Sequence, residues 1–379
     1  MTDARIGFAG TAFLAFAATL PALGQSPSGP ITPQPGTPVQ QAPPGPKIGV
    51  RVTLVNTPAV VRDSKDRMIE TLDAKDFQVT DNGVAQTITH FDLGGDPISL
   101  VVLLETSSRV GSLLPEVRKA GILITENVVG AHGEGAVVGF NDSVDKLQGF
   151  TASHDQIENC ISKLPIGTSG SKLYDAMAVG VEMLSGQPLP TADGAGRRRV
   201  MLIVSEGVDQ GSDARFGEVL RQVQLANITI YSVGLSTTRA QLNAPPQDTR
   251  TTMTPPGVFG MPPQPGTVQT PETEANRYGS GDLLQAVVWA VQHAKDAIKD
   301  NPLQLAAAGT GGAVMGTWKN RSVDNAIDEI GAELHAQYSI SYIPTGVSEM
   351  GYHQIKVSVA KRGLKVRARP GYYVAPTEN

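Results

Sequence analysis

The 379-residue sequence is poor in cysteine, in aromatic residues and in excess charge of either sign. Its single cysteine, Cys160, excludes an intrachain disulfide framework and a metal site with several thiolate ligands. Aromatic residues make up 5% of the chain, and the formal net charge is −5 at pH 7. Because nucleic-acid-binding proteins are usually basic, this charge disfavours a nucleic acid as the partner.

The sequence also lacks an apolar run long enough for a transmembrane segment, which needs about 20 residues. The run Ile6–Leu20 is shorter and matches the apolar part of a signal peptide. The small residues Ala22 and Gly24 precede a suitable cleavage point. We therefore predict a signal peptide over 1–24 and an exported protein, periplasmic or extracellular. A buried amino-terminal helix is the alternative.

Proline is concentrated in two places. Eight of the 27 prolines lie within 25–46 and eight more within 245–271. The first cluster predicts a proline-rich linker over 25–46. The second lies in a polar stretch without periodicity, 236–279, which we predict to be a disordered insert because such long structureless loops are uncommon inside compact domains. The remaining sequence has an ordinary proline content, which excludes a fibrous protein.

Alternating apolar residues predict β-structure at both ends of the folded part. Near the amino-terminal end they indicate a small β unit over 47–93, with a hairpin turn at Asp81-Asn82-Gly83. Near the carboxyl end they indicate a second β segment over 337–375. Neither segment alone buries much surface, so we expect the two to pair with each other.

The middle of the sequence alternates between strand and helix patterns. The continuous apolar run Ile98–Leu104 is typical of a central parallel strand. Further strands are predicted at 135–140, 144–150, 200–204 and 228–233, and helices at 113–128, 155–164, 172–185, 213–226, 281–299 and 323–336. An apolar run at 303–308 continues the sheet pattern, with 309–312 as a strand-to-helix turn. The alternation predicts a doubly wound, mostly parallel α/β sheet over 96–336.

Three predicted loops bring acidic and hydroxyl side chains to one edge of this sheet. They read Glu105-Thr106-Ser107-Ser108-Arg109 after the first strand, Gly170-Ser171 before a helix, and Ser205-Glu206-Gly207 after a later strand. Their order and spacing resemble the von Willebrand factor type A (VWA, or VWFA) family. In that family an Asp-x-Ser-x-Ser motif, a Thr and an Asp-Gly together hold one Mg²⁺ or similar ion. The resemblance implies a Rossmann-like VWA domain whose protein ligand docks at this edge.

The flanking β segments extend the resemblance. Asp76-Phe77, the Tyr338-x-x-x-Tyr342-x-Pro344 pattern and Arg369-Pro370-Gly371-Tyr372-Tyr373 are similar to the exported VWFA-related proteins typical of acidobacteria. The resemblance covers roughly 48–374 apart from the insert. It implies a fold and says little about biochemistry.

Position by position, the resemblance implies a degenerate metal-ion-dependent adhesion site. Ser107 matches a family position, while Glu105 and Glu206 stand for Asp, Ser171 for Thr and Arg109 for Ser. Arginine offers only donors and a fixed positive charge, so it cannot be a cation ligand. We therefore predict that Arg109 lies between the two glutamates in place of the ion, with bidentate hydrogen bonds. In the alternative, Mg²⁺ or another divalent cation binds through the four oxygen-bearing side chains and waters.

Other residues receive simpler interpretations. Ser108 and Asp209 belong to the same predicted surface, and Asp142 is expected to be a solvated turn residue. Cys160 is expected to pack within its helix. Three basic residues alternate on the outward face of a late strand, which predicts a solvated face, with an anionic-polymer site as the alternative: Lys365, Arg367 and Arg369. We expect Tyr372 and Tyr373 to anchor the last strand.

The sequence contains no familiar catalytic motif. Its six histidines form no H-E-x-x-H pair, and neither a nucleophile elbow nor a phosphate-binding loop is present. We predict a non-enzymatic protein-interaction module with an unknown protein ligand. The alternatives are a hydrolase that uses Glu105 or Glu206 as a general acid/base, and a structural component of the cell envelope.

Overall fold

The computed structural model describes residues 54–94, 96–189, 196–235, 302–317, 322–345 and 351–374. The predicted signal peptide, linker, insert and helix 281–299 therefore lie outside the described residues. So does most of the first predicted strand, around Ile48.

Short strands open the described chain. They are β1 (Val55–Asn56), β2 (Ala59–Arg62), β3 (Phe77–Asp81), β4 (Val84–Gln86) and β5 (Ile88–Leu93). The turn between β3 and β4 is formed by Asn82 and Gly83, both with positive φ (46° and 82°). This is the backbone that a tight two-residue hairpin requires, so the predicted turn is confirmed. The strand predicted over 85–91 is interrupted, and β4 and β5 pair in different sheets.

The central α/β region follows. Its strands are β6 (Ile98–Glu105), β7 (Glu134–Phe140), β8 (Val144–Thr151), β9 (Arg198–Ser205), β10 (Ile228–Gly234) and β11 (Val314–Gly316). Its helices are α1 (Leu114–Lys119), α2 (Gly121–Leu123), α3 (His154–Ser162), α4 (Leu173–Ser185), α5 (Phe216–Leu225), α6 (Pro302–Thr310) and α7 (Val323–His335). A π-helical turn, Ile124–Val129, follows α2. The helix predicted over 113–128 is therefore divided into three helical pieces.

These strands form one six-stranded sheet in the order β11-β10-β9-β6-β7-β8. All neighbours are parallel except β7 and β8, which are antiparallel. Alternate residues of β6 point to opposite faces: Leu100 and Val102 join a cluster with α1 and α7, and Val101 and Leu103 join one with α4 and α5. Helices on both faces explain why the β6 sequence is continuously apolar. The predicted doubly wound, mostly parallel sheet is confirmed.

The carboxyl-terminal part contributes β12 (Tyr338–Tyr342), β13 (Gly351–Val359), β14 (Lys365–Ala368) and β15 (Gly371–Val374). One sheet has the order β1-β12-β2-β14, with β5 also paired to β12, and a second has the order β15-β13-β3-β4. Strands from the two ends of the folded chain thus alternate in the first sheet, and in the second they pair where β13 meets β3. A shared core, which includes Phe77, Tyr338 and Ile355, lies between them.

The structure corrects the interpretation of 303–312. Residues 303–308 belong to helix α6, which ends at Thr310, and Gly311 takes a left-handed backbone (φ 84°) before β11. The run was predicted as part of the sheet because a short, fully buried apolar segment has no periodicity that separates a strand from a helix. The glycines therefore end a helix and lead into a strand.

The structure also corrects, in part, the prediction of a solvated basic face on β14. Helix α7 covers that face, and its buried Glu333 pairs with Arg367 and, at 3.0 Å, with Nη2 of Arg62. Arg369 is 5% exposed and donates to Gln224 Oε1 at 2.7 Å. Lys365 is exposed, as predicted, whereas packing against α7 and α5 partly covers Arg367 and buries Arg369, which strand alternation alone does not indicate. Arg369 is therefore buried, and Arg367 is engaged in an ion pair with Glu333.

Candidate functional site

The candidate site lies where β6 and β9 end side by side. β7 and β8 lie on one side of β6, whereas β9, β10 and β11 lie on the other, so the strand order reverses between β6 and β9. In doubly wound sheets, the crevice outside the carboxyl ends at such a reversal is the usual place for a ligand. Glu105 is the last residue of β6, and Glu206 follows the last residue of β9.

The Glu105 side chain is fully buried and has several donors. Oε1 accepts a hydrogen bond from Ser107 Oγ at 2.6 Å, and Oε2 accepts from Ser205 Oγ at 2.7 Å and from the backbone N of Glu206 at 3.0 Å. A carboxylate has about four acceptor positions, so little capacity remains for a further ligand. Glu105 therefore ties the ends of the two strands together.

Arg109 lies between the two glutamates. Its Nε is 2.6 Å from Glu206 Oε1, and its Nη2 is 3.5 Å from Glu105 Oε1. The side chains of Glu105 and Glu206 are 0% and 1% exposed, and that of Arg109 is 19% exposed. The group holds two carboxylates and one guanidinium, and the guanidinium is the most exposed of the three. One positive charge thus lies between two buried negative charges, where burial strengthens their attraction.

Ser171 lies in a loop held against the β9 loop. Its backbone N donates to Gln210 O at 3.3 Å, and Gln210 N donates to Ser171 O at 2.7 Å. The Ser171 hydroxyl is buried and makes no hydrogen bond in the described part of the chain. The structure therefore fixes the backbone of this position without using its side chain.

The acidic residues nearby have structural roles. Asp209 Oδ1 accepts from the backbone N of Tyr174 at 3.1 Å and from Ser212 Oγ at 2.6 Å, which satisfies a free N–H at the start of α4. Asp142 is exposed and lies against Gly170, where an added Cβ would collide with its Oδ1. Asp209 therefore fixes the loop, and its placement does not bring it to the charged group.

Two features of the site were not predicted from the sequence. Ser205, which the sequence placed in the loop after a strand without a role, donates to Glu105. Asn141 joins two loops, since its Nδ2 donates to Thr106 Oγ1 at 3.0 Å and its Oδ1 accepts from Thr168 Oγ1 at 3.1 Å. A hydroxyl or amide directly after a buried strand is the signal that would have indicated both. Ser108 is exposed, and its backbone N donates to Thr168 O at 2.8 Å.

The donor set does not fit a divalent cation. A hard cation requires several free oxygen ligands, and here a guanidinium contacts both carboxylates. Across the described ranges, no group of three or more His, Cys, Asp or Glu residues is arranged to hold a metal ion. The contacts of these three side chains make the arrangement an internal ion-pair group.

Comparisons with known proteins give only distant similarity. No protein-family model and no curated protein matches the sequence. Among solved structures, the chain is similar to the conserved hypothetical protein BatB from Bacteroides thetaiotaomicron, with 13% identity, a TM-score of 0.37 and coverage of 62% of this chain and 97% of that one.

Two further solved structures show the same kind of distant similarity. The SpRpn10 VWA domain gives 13% identity and a TM-score of 0.30, with coverage of 38% of this chain and 79% of that one. The vWF domain of the type V pili tip protein Mfa5 from Porphyromonas gingivalis gives 13% identity and a TM-score of 0.24, with coverage of 30% and 39%. At such values the fold rests on the strand order and helix placement of this chain itself. Within the described ranges, no helix is both long enough and apolar enough to cross a bilayer.

Proposed function

We propose that this chain is an exported, non-enzymatic protein-interaction module of the VWA type. Its partner docks at the edge formed by the ends of β6 and β9, over Ser108 and Arg109. The observation that carries the proposal is the position of Arg109, whose guanidinium contacts both Glu105 and Glu206. The degenerate adhesion site then holds a fixed organic cation in place of a metal ion.

Burial argues against the hydrolase alternative. A general acid or base must lie within hydrogen-bond reach of its substrate. The side chains of Glu105 and Glu206 are 0% and 1% exposed, so neither reaches a substrate in solution. Ser107, whose hydroxyl donates to Glu105, is also fully buried. The accessible groups are Arg109 and the loop residues around it, which suit contact rather than chemistry.

The rim of this edge has the character of a contact surface. Ile166 is 58% exposed and lies in the loop whose Gly167 N donates to Thr106 O at 2.7 Å. Ser108, in the β6 loop, is exposed as well. Arginine is enriched at protein interfaces, and Arg109 is held in place by its two carboxylates. We therefore place the docking surface on Ser108, Arg109 and Ile166.

Site-specific photocrosslinking tests the surface. A photoreactive amino acid at Ser108 should give a discrete crosslinked partner in an envelope extract of the source organism. One at His132, which is exposed just before the amino end of β7, serves as the control. The Ser108 product should persist in EDTA, because no metal takes part. The same product from both positions, or none from Ser108, would contradict the proposal and favour a structural envelope component.

Export is tested separately. The proposal places cleavage after Gly24, so the mature protein should begin at Gln25 when its amino terminus is sequenced. A mature protein that retains residues 6–20 would show that this apolar run is not a signal peptide.

A further inference from the structure

A small cavity lies at the other end of β9, near its first residues. Its volume is about 40 Å³, room for about three water molecules. Three arginines line it: Arg198 and Arg199 from β9, and Arg369 from the carboxyl-terminal β region. Asn56 and Gln337 line it as well. The cavity thus lies where the amino end of the central sheet meets the small β sheets.

Arg198 is 6% exposed and has incomplete hydrogen bonding. Its Nη1 donates to Leu334 O at 3.0 Å and to Gln337 Oε1 at 3.1 Å. Its Nη2 is buried and has no partner in the described chain. A buried donor of a charged group that is left without an acceptor is costly, so a ligand that accepts from it would stabilise the fold.

The other two arginines are bound only by neutral acceptors. Arg369 donates to Asn227 Oδ1 at 2.8 Å and to Gln224 Oε1 at 2.7 Å. Arg199 donates to backbone carbonyls, among them Ala226 O at 2.8 Å. Among the described residues, no carboxylate comes within ion-pair distance of any of the three arginines. Burial lowers the pKa of each arginine, which is the expected effect of taking a positive charge out of water.

Two carboxylates partly offset this charge, since Asp92 and Asp96 both act to raise the pKa of Arg198 against the larger effect of burial. Asp96 has the larger effect of the two and is buried. Its Oδ2 is also without a partner. This leaves the charges of Arg199 and Arg369 uncompensated among the described residues. Asn56, which also lines the cavity, has a buried Oδ1 without a donor among the described residues.

We propose that this cavity binds one small inorganic anion, of the size of chloride or phosphate. Guanidinium groups are the side chains best suited to pair with such ions. The anion would accept from Arg198 Nη2 and lie near Arg199 and Arg369. It would thereby connect the amino end of β9 to the small β sheets, and its loss would weaken that junction.

Thermal unfolding of the full chain tests this proposal. The starting buffer contains sodium gluconate, whose six-carbon anion is too large for the cavity, and gluconate is replaced by chloride or by inorganic phosphate at constant ionic strength. We expect a saturable rise of several degrees in the unfolding midpoint, because a ligand that binds only the folded state stabilises it. No saturable rise with either ion would overturn the proposal.

Two variants test whether the anion-dependent rise in the unfolding midpoint comes from this cavity. Arg198→Gln should abolish the saturable rise, while the control Arg67→Gln, at a residue whose side chain is 72% exposed, should keep it. Gln337→Glu supplies a fixed carboxylate to Arg198, so it should raise the midpoint in gluconate and remove the response to added anion. This second variant gives an answer even where Arg198→Gln does not fold. A response that survives in Arg198→Gln, or a Gln337→Glu protein that is less stable and still responds, would refute an anion site here.

Discussion

The Nε atom of Arg109 lies 2.6 Å from Oε1 of Glu206, and the same guanidinium reaches Oε1 of Glu105 at 3.5 Å. Arg109 lies in the loop beyond β6, whereas Glu206 follows β9, so one side chain joins the ends of two parallel neighbours. Both carboxylates are buried, and removal of the guanidinium would leave them facing each other. The site is therefore held together by charges that all come from the chain itself.

The first prediction concerns Arg109→Ala. Breaking a buried ion pair from one side typically costs about 3–5 kcal/mol, because the remaining charge is left uncompensated. We expect urea unfolding at pH 7 to show a loss of stability of about 3 kcal/mol, since part of the side chain contacts solvent. Arg67→Ala, at an exposed ion pair, should change stability by less than about 1 kcal/mol. Equal small losses in the two variants would contradict the coupled arrangement.

The second prediction concerns Glu333, which joins α7 to the small β sheets. Its fully buried carboxylate pairs with Arg62 and Arg367. Glu333→Gln removes the negative charge and leaves two arginines without it, so we expect a loss of about 3 kcal/mol in urea unfolding. Glu182→Gln is the matched control, because its pair with Lys146 is exposed and should contribute less than about 1 kcal/mol. A loss in Glu333→Gln no greater than in the control would refute this role.

The third prediction concerns the pH dependence contributed by Asp81. Burial by itself raises the pKa of this carboxyl, but hydrogen bonds from His353, Tyr372 and Tyr342 outweigh it, and the pKa lies below its ordinary value. A carboxyl with a lowered pKa stabilises the folded state above its unfolded pKa, which is about 3.9. That stabilisation is lost as the pH falls through the folded pKa.

Urea unfolding of Asp81→Asn and the wild type at several pH values checks this prediction. The variant should be less stable by about 3 kcal/mol at pH 6, and the difference should shrink below about pH 4. Tyr342→Phe, which removes one of the donors, should cost about 1 kcal/mol at pH 6. A difference between Asp81→Asn and wild type that stays constant down to pH 3 would show that the carboxyl is not stabilised in its charged form.

The fourth prediction concerns Cys160. Its thiol is partly buried against the core, and burial raises its pKa. Because the thiolate is the reactive species, labelling by a disulfide reagent at pH 8 should be more than about tenfold slower in the folded protein than in urea. A Ser108→Cys protein in a Cys160→Ser background provides an exposed thiol for comparison. Equal rates at the two positions in the folded state would contradict the expected protection.

Much of the fold follows from sequence patterns, and the exceptions have physical causes. Ile98–Leu104 reads as a central strand because helices cover both of its faces. The helix Pro302–Thr310 does not, since a short apolar segment lacks a distinguishing period. Arg367 and Arg369 were assigned to solvent because alternation describes only one covered face, whereas long-range packing by α7 and α5 covers the other.

The candidate site, like the fold, could be predicted from the sequence only in part. The three loops could be placed at one edge from strand order, because the carboxyl ends of parallel strands meet there. The contacts within the edge depend on side-chain directions that no local pattern encodes. Ser205, which donates to Glu105, and the unused hydroxyl of Ser171 are both of this kind.

Calorimetric titration with Mg²⁺, Mn²⁺ and Ca²⁺ tests the central claim most directly, that Arg109 takes the place of a metal ion. We predict no binding heat in the wild type. Arg109→Ser should gain measurable divalent binding, because two carboxylates and an added hydroxyl then face each other without the guanidinium. Circular dichroism confirms that the variant is folded. Micromolar binding to the wild-type protein that disappears in Glu206→Ala would contradict the account.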